Sequence, residues 1–169
     1  MNKLIIGLGN PGVKYKLNRH NLGFLIVDEI CKSMKLKWKE SPKFDVKYIN
    51  AGELGFIKPL TFMNNSGTPV QKFIQYHGIS LENVYVIHDD LDLPFLTVKK
   101  QLDASSAGHN GVEDIIEKLD SKAFWRVRVG TGRPLSKNED VSQWVLSNFN
   151  KKEIDGLFGL VEEIKALIF

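Results

Sequence analysis

The residues best suited to chemistry in this sequence are an imidazole, a carboxylate and a set of polar side chains standing where loops meet regular elements. His20 lies in Arg19-His20-Asn21 and Asp89 in His88-Asp89-Asp90; Asn10, Asn64 and His109-Asn110 complete the set. An imidazole held at one ring nitrogen by a carboxylate keeps the other nitrogen as a general base. Carboxamides donate hydrogen bonds without changing charge, which suits a carbonyl and the oxyanion that develops on it. These residue types together point to acyl transfer. Each has an ordinary use as well, Asn as a cap or turn residue and Asp as a turn residue at a strand end. The argument rests on the recurrence of amides and imidazoles at such junctions.

Other chemistries fit less well. Gly7-Leu8-Gly9-Asn10-Pro11-Gly12 has the letters of a dinucleotide fingerprint. That fingerprint needs a helix opening at the glycines and an acidic residue about 20 positions on, at the end of a second strand. Here Pro11 interrupts, loop residues follow, and Asp28 and Glu29 fall in a helix. A nicotinamide oxidoreductase is therefore the weaker rival. His88-Asp89-Asp90 with Asp92 could hold a hard cation, but no second acidic cluster or EF-hand spacing accompanies it. A Ser nucleophile lacks the G-x-S-x-G elbow: Ser66 lies in Asn-Ser-Gly, and Ser105 and Ser106 lie in a small-residue loop. The single cysteine, Cys31, falls in a predicted helix as packing, and no Cys/His spacing suggests zinc. Neither a metal nor a cofactor is expected.

Around these residues stands an ordinary soluble chain. Its 169 residues suffice for one domain with a proper core, and residues 1–169 are read as one unit. No apolar run approaches the ~18 residues of a membrane span, and no signal peptide opens the chain, so a reducing cytoplasm is the expected setting. Net charge is only +3, yet Lys32, Lys35, Lys37, Lys39 and Lys43 cluster after Lys14, Lys16 and Arg19. Such a face meets a polyanion such as RNA or is simply a solvated, Lys-rich helix end.

The elements that must position the chemistry follow from periodicity. Lys3–Gly9 reads as a buried strand and Asn10–Asn21 as loop. A helix follows from Leu22, with Leu22, Leu25, Ile26, Ile30 and Met34 inward and Asn21 as its cap. Phe44–Ile49 and Leu54–Lys58 form a hairpin stopped by Pro59. A polar loop precedes a helix from about Pro69, with Val70, Phe73, Ile74 and Tyr76 as its stripe and Gly78 closing it. Val84–Ile87 is the clearest buried strand and Phe95–Lys100 another. Gln101–Gly111 is a small-residue loop and a candidate mobile segment; Val112–Leu119 is a short helix. Phe124–Val129 alternates with Arg126 and Arg128 on one face. A short helix at Val141–Val145 and a last one over Lys151–Phe169 complete the chain. Alternating strands and helices predict an α/β fold, a three-layer α/β/α arrangement around a mixed, twisted central sheet.

Four collinear motifs resemble those of bacterial peptidyl-tRNA hydrolases. They are Gly7-Leu8-Gly9-Asn10-Pro11-Gly12 with Tyr15 and Arg19-His20-Asn21-x-Gly23; Lys58-Pro59-x-Thr61-Phe62-Met63-Asn64-x-Ser66-Gly67; His88-Asp89-Asp90-Leu91-Asp92-Leu93-Pro94; and Gly108-His109-Asn110-Gly111. The resemblance implies a metal-independent esterase, usually monomeric, that frees tRNA from peptidyl-tRNA. By that resemblance His20 is the catalytic histidine and Asp89 its carboxylate partner. Asn10, Asn64 and Asn110 position substrate, water and oxyanion, and His109 flanks the site. Tyr15 and Phe62 belong to the substrate surface, and Lys99 and Arg128 grip the tRNA 5′-phosphate. The implied partner is the tRNA acceptor stem with its 3′ CCA end. The main alternative is a non-catalytic RNA-binding descendant of the fold, which would have lost the imidazole or amides; here all are present.

Departures from the family pattern concentrate in four places. Asn18 stands where relatives usually carry Thr. Asp103-Ala104-Ser105-Ser106-Ala107 replaces an often Gly-rich loop, which predicts a stiffer gate and an added negative charge. Gln101 stands at an often basic position, so a weaker phosphate clamp is expected. Residues 135–169 match only loosely, and the chain ends earlier than many relatives, which leaves its final lid-like segment open.

Overall fold

The N-terminal run Lys3-Leu4-Ile5-Ile6-Gly7 sets the frame. In the computed structural model, which describes residues 1–136 and 138–169, it forms the middle strand of a seven-stranded sheet. The elements in chain order are β1 (Lys3–Gly7), α1 (Leu22–Ser33), β2 (Lys39–Ser41), β3 (Val46–Ala51), β4 (Leu54–Pro59), α2 (Gly67–His77), β5 (Val84–Asp90), β6 (Val98–Leu102), α3 (Asn110–Leu119), β7 (Trp125–Gly130), α4 (Val141–Val145), α5 (Lys151–Gly159) and α6 (Val161–Ile168). The sheet runs β2-β3-β4-β1-β5-β7-β6. β1 pairs in parallel with β4 and β5, and β5 with β7; the β2/β3, β3/β4 and β6/β7 pairs are antiparallel.

Successive side chains of a strand point to opposite faces, so an unbroken apolar run supplies two cores. Ile5, Tyr85, Ile87, Val127 and Val129 pack with α1, α5 and α6 through Leu22, Ile26, Ile30, Leu157, Val161, Ile164 and Ile168. Leu4, Ile6, Val84 and Val86 face the other way, onto Val70, Phe73 and Ile74 of α2 and Val112 and Ile115 of α3. The result is the expected three-layer α/β/α arrangement around a mixed sheet.

This topology decides where chemistry can sit. From β1 the chain crosses by α1 to β4 on one side, then returns by α2 to β5 on the other. The crossings cover opposite faces, so a crevice opens at the carboxyl ends of β1 and β5, the switch point where open α/β sheets bind ligands. Asn10 follows β1, and Asp89 is the penultimate residue of β5.

Several boundaries differ from the sequence reading. β5 continues through His88, Asp89 and Asp90, all buried, because Asp90 still pairs with Gly130 of β7. β3 begins only at Val46, since Asp45 at φ 53° puts Phe44 and Asp45 in a turn, and short β2 was not foreseen. β6 starts at Val98 rather than Phe95, after Leu96 at φ 64°. α2 starts two residues earlier than expected, at Gly67, and Tyr76 is exposed rather than inward. The last helix breaks at Leu160 into α5 and α6, next to the weak helix former Gly159.

Candidate active site

The glycines of the N-terminal motif serve close packing between β1 and α1. A Cβ on Gly7 would lie 2.5 Å from the Gly23 carbonyl oxygen, and one on Gly23 would lie 2.3 Å from that of Ile87. This approach brings the α1 N-terminus, and the 3₁₀ turn Arg19–Asn21 before it, against the ends of β1 and β5. Asn21 does not cap α1 with its side chain, contrary to expectation. Its carboxamide instead joins the main chain of Asn10 at both groups: Oδ1 accepts from the Asn10 N–H at 2.9 Å, and Nδ2 donates to the Asn10 carbonyl at 2.9 Å. The two ends of the loop are thus tied together.

The His20 turn is also fastened from the C-terminal segment, which motif reasoning missed. Buried Arg19 pairs with Glu153 at 2.8 Å and donates to the Asn148 carbonyl at 2.7 Å and Ser147 Oγ at 3.1 Å. Its guanidinium lies 4.1 Å from the Trp144 ring centroid. Asn18, the departure from the family pattern, donates to the Leu146 carbonyl and to Asn148 Oδ1, both at 2.7 Å. Main-chain bonds from Arg19 to Ser147 and from Phe149 to Leu17 complete the seam. One available signal was Asn150-x-x-Glu153, a capping box realised at the start of α5.

Asp89 collects two imidazoles. His20 Nδ1 lies 3.0 Å from Asp89 Oδ2, and His109 Nε2 lies 2.9 Å from Asp89 Oδ1. The other nitrogen of His109, Nδ1, accepts the Val112 N–H at 3.3 Å as the N-cap of α3, so His109 has both nitrogens engaged. His88 is buried, donates from Nδ1 to the Asp89 carbonyl at 2.8 Å, and packs edge-on against His109. Burial foremost, with His109 beside it, pushes His88 down to about 3, so it stays neutral. His20 is left with Nδ1–H on Asp89 and no protein partner for Nε2 among the described residues. Burial works to lower its pKa, but the charge and hydrogen bond of Asp89 outweigh it and raise the imidazole above its ordinary value. Burial alone would raise Asp89; the charges and hydrogen bonds of His20 and His109 hold it well below the carboxylate range.

A cleft of about 180 Å³ opens on this cluster, lined by His20, Asp89, His109 and Asn110 with Arg133 and Ser142 at its margin. Asn110 opens α3, where the helix macrodipole favours negative charge. Asn10 does not line this cleft; it lines an adjoining trough with Asn21. Its Oδ1 accepts the Met63 N–H at 2.7 Å, which fixes the carboxamide orientation and leaves Nδ2 as donor. That bond also links Asn10 to the Met63–Asn65 turn carrying Asn64, which is exposed. Tyr15 and Phe62 form an edge-on pair, centroids 6.1 Å apart.

Lys99 and Arg128 lie outside the cleft, opposite one another on β6 and β7. Arg128 donates to Asp90 at 2.6 Å and to Gln101 at 2.8 Å, so Gln101, the residue expected to weaken the clamp, engages the guanidinium directly. In the loop before His109, Asp103 and Ala107 adopt φ 52° and 50°, the left-handed region that favours glycine. Arg126, fully buried, donates to the Ala104 carbonyl beneath this loop.

Competing chemistries find little here. Burial, reinforced by Asp28, pushes the Cys31 thiol up to about 12, so it is no thiolate nucleophile. The Ser66 hydroxyl donates to the Met63 carbonyl, and Ser106 Oγ accepts the Gly108 N–H. His20, Asp89 and His109 bring potential ligand atoms within 4.8 Å of one another, the one such metal-like group among the described residues. The ring nitrogens nearest Asp89 already donate to it, so a metal there would compete with both hydrogen bonds.

A three-layer α/β fold that gathers an imidazole–carboxylate couple and carboxamides at its switch point has the groups that a hydrolase can use. The sequence matches the family model described as Peptidyl-tRNA hydrolase over residues 4–168. A peptidyl-tRNA hydrolase of Aliarcobacter butzleri is 43% identical over 159 residues, 94% of this chain and 86% of its own; one of a Hydrogenobaculum species is 45% identical over 154 residues, 90% and 81%. The crystal structure of peptidyl-tRNA hydrolase from Acinetobacter baumannii superposes with a TM-score of 0.89 at 31% identity, covering 99% of this chain and 88% of that one. The chain belongs to the peptidyl-tRNA hydrolase family.

Proposed function

We propose that this protein hydrolyses the ester between a peptide, or an N-blocked aminoacyl group, and tRNA, releasing free tRNA for translation. His20 Nε2 takes a proton from water as its oxygen attacks the ester carbonyl carbon. The carbonyl pair moves to oxygen, and the tetrahedral intermediate collapses by expelling the ribose oxygen, which takes the proton back from His20. The single observation that carries this reading is the Asp89–His20 hydrogen bond, which fixes Nδ1–H and leaves Nε2 as base. General-base assistance of this kind contributes about 10²- to 10⁴-fold.

Asn110 donates to the oxyanion, a role supported by its place at a helix N-terminus in the cleft of His20. Asn10 Nδ2 and Asn64 position water and substrate; the bond from Met63 supports a fixed donor on Asn10. Tyr15 and Phe62 offer an aromatic surface for the bound substrate, and His109 holds Asp89 from its second side. Lys99 and Arg128 grip the tRNA 5′-phosphate beside the acceptor stem, while the 3′ CCA end enters the cleft. No step here calls for a metal or cofactor. No helix among the described residues is long and apolar enough to cross a membrane. Action in the cytoplasm, as a monomer with residues 1–169 forming one domain, completes the proposal.

The test is release of free tRNA from N-acetylaminoacyl-tRNA by the purified protein, with and without chelator. Release in both arms is expected; no release in either overturns the reading. Arg128→Ala should weaken substrate binding several-fold with kcat little changed, and lower the salt slope of binding by about one. Unchanged apparent affinity at low salt would remove Arg128 from the clamp.

A further inference from the structure

The reaction centre has two cationic flanks, and the proposed function uses one. Along the carboxyl edge of the sheet, Lys99 stands opposite Arg128 on β6 and β7, and Lys47 stands opposite Lys58 on β3 and β4. Like charges directly opposite across strands are destabilising. Each pair has one largely buried member held in an ion pair, Arg128 with Asp90 and Lys58 with Asp28. The Lys47 flank borders the trough beside Asn10, about 310 Å³, lined also by Val13, Lys16, Phe24, Asp28 and Leu60. Through Asp28, Lys47 and Lys58 it continues into a hollow of about 500 Å³ that holds Trp38 with Lys32, Lys35 and Lys37.

We propose that this trough takes the peptide arm of the substrate and that its lysines favour arms carrying acidic side chains. The inference rests on the hydrolase reading: an acyl ester has two arms, and with tRNA on the Lys99–Arg128 flank the acyl arm leaves past Asn10 toward Lys47. The lining suits a peptide better than a phosphate backbone. Val13 is 91% exposed beside Phe24 and Leu60, giving apolar seats, and no arginine lines either cavity. Lys58 is committed to Asp28 and lies over the Trp38 ring, whereas Lys47 makes only a partly exposed pair with Glu40 at 3.3 Å. Lys16, Lys35 and Lys37 have no acidic partner within 4 Å among the described residues. Neighbouring strands are about 4.8 Å apart and an extended chain rises about 3.4 Å per residue. Crossing from β1 to β3 therefore takes roughly three residues, which sets the third and fourth residues from the ester near Lys47, with Lys16 lining the same trough.

The experiment compares peptidyl-tRNAs with one tRNA and one C-terminal dipeptide, carrying Glu-Glu or Lys-Lys at the third and fourth positions. N-acetylaminoacyl-tRNA serves as the armless reference. We expect kcat/KM about three- to tenfold higher for the Glu arm at low salt, shrinking as salt rises, as for two exposed ion pairs. In a Lys16→Glu, Lys47→Glu double variant the ratio should fall to one or invert; being a ratio, it cancels any general loss of activity. A ratio near one in the unmodified protein, with the armless substrate cleaved, overturns the proposal and spares the hydrolase reading. Deacylated tRNA losing affinity in the double variant as much as the Glu-arm substrate would put RNA in the trough, which also overturns it. Failure to cleave the armless substrate defeats both readings.

Discussion

Two loops deliver imidazoles to Asp89, and they are built on opposite plans. The turn carrying His20 is sewn to the C-terminal segment by Arg19 and Asn18, through the Glu153 ion pair, side-chain bonds to residues 146–148, main-chain bonds and a stacked Trp144. The loop carrying His109 holds two non-glycine residues at positive φ and hangs on buried Arg126 through the Ala104 carbonyl. In the proposed mechanism the first loop presents the base and must not move. The second fixes the carboxylate through an imidazole whose other nitrogen caps α3. Anchoring is concentrated behind His20, the group proposed to transfer the proton.

The sharpest way to break this comparison is His20→Ala. Turnover on N-acetylaminoacyl-tRNA should fall about 10³- to 10⁴-fold, the upper range for general-base assistance, and near-normal turnover would show that another group is the base. Asp89→Asn should cost about 10²- to 10³-fold, because an amide no longer selects the Nδ1–H tautomer. Its pH signature has a definite sign. Asp89 raises His20 against burial, so without the carboxylate the His20 pKa falls and the acidic limb of the kcat–pH profile moves to lower pH. A limb that stays in place or moves upward would disconnect Asp89 from the titrating group.

Arg19→Ala tests the seam. Losing one partner of a largely buried pair should destabilise the protein by about 2–3 kcal/mol, read in denaturant melts; Glu153 is a quarter exposed, which places the loss below that of a fully buried pair. Activity should fall more than with Arg128→Ala, and through kcat rather than KM, since the displaced group is the base. Ala107→Gly has the smallest effect. Relief of the left-handed strain should outweigh the added unfolded-state entropy by at most about 1 kcal/mol, with little change in turnover. A clear loss of stability there would mean that the loop is not strained at Ala107.

Legibility in the sequence followed the range of the interactions. The apolar runs gave β1 and β5, and alternation in β7 put Arg126 and Arg128 on one face, because side-chain period reports burial directly. Two of the boundary misses lie where one residue in the left-handed region redirects the chain, at Asp45 and Leu96, a conformation that residue type does not announce outside glycine. The break at Leu160 was hidden because the apolar stripe runs through it from Leu157 to Ile168 and only the weak former Gly159 hinted at an end. The role of Asn21 was misread for a related reason: a carboxamide before a helix is ordinarily its cap, and only the fold brings the Asn10 backbone within its reach.

By itself the sequence determined the layer architecture, the family motifs and the candidate chemistry, since these depend on residue type and local period. Which of three neighbouring imidazoles is held on a carboxylate at one nitrogen and has the other to spare was decided only by tertiary structure; His88 Nε2 is also unpartnered among the described residues, but that ring is fully buried and bonds only the Asp89 carbonyl. His20, His88 and His109 are the same side chain, and their difference is made by Asp89, the Asp89 carbonyl and the Val112 N–H, supplied by β5 and α3. The same holds for Arg19: its partner Glu153 lies 134 positions away, and only the packing of α5 beside α1 turns two distant charges into the support of the His20 turn. Hydrogen bonds act over about 3 Å. Composition and spacing along the chain carry no record of which distant groups the fold will bring that close.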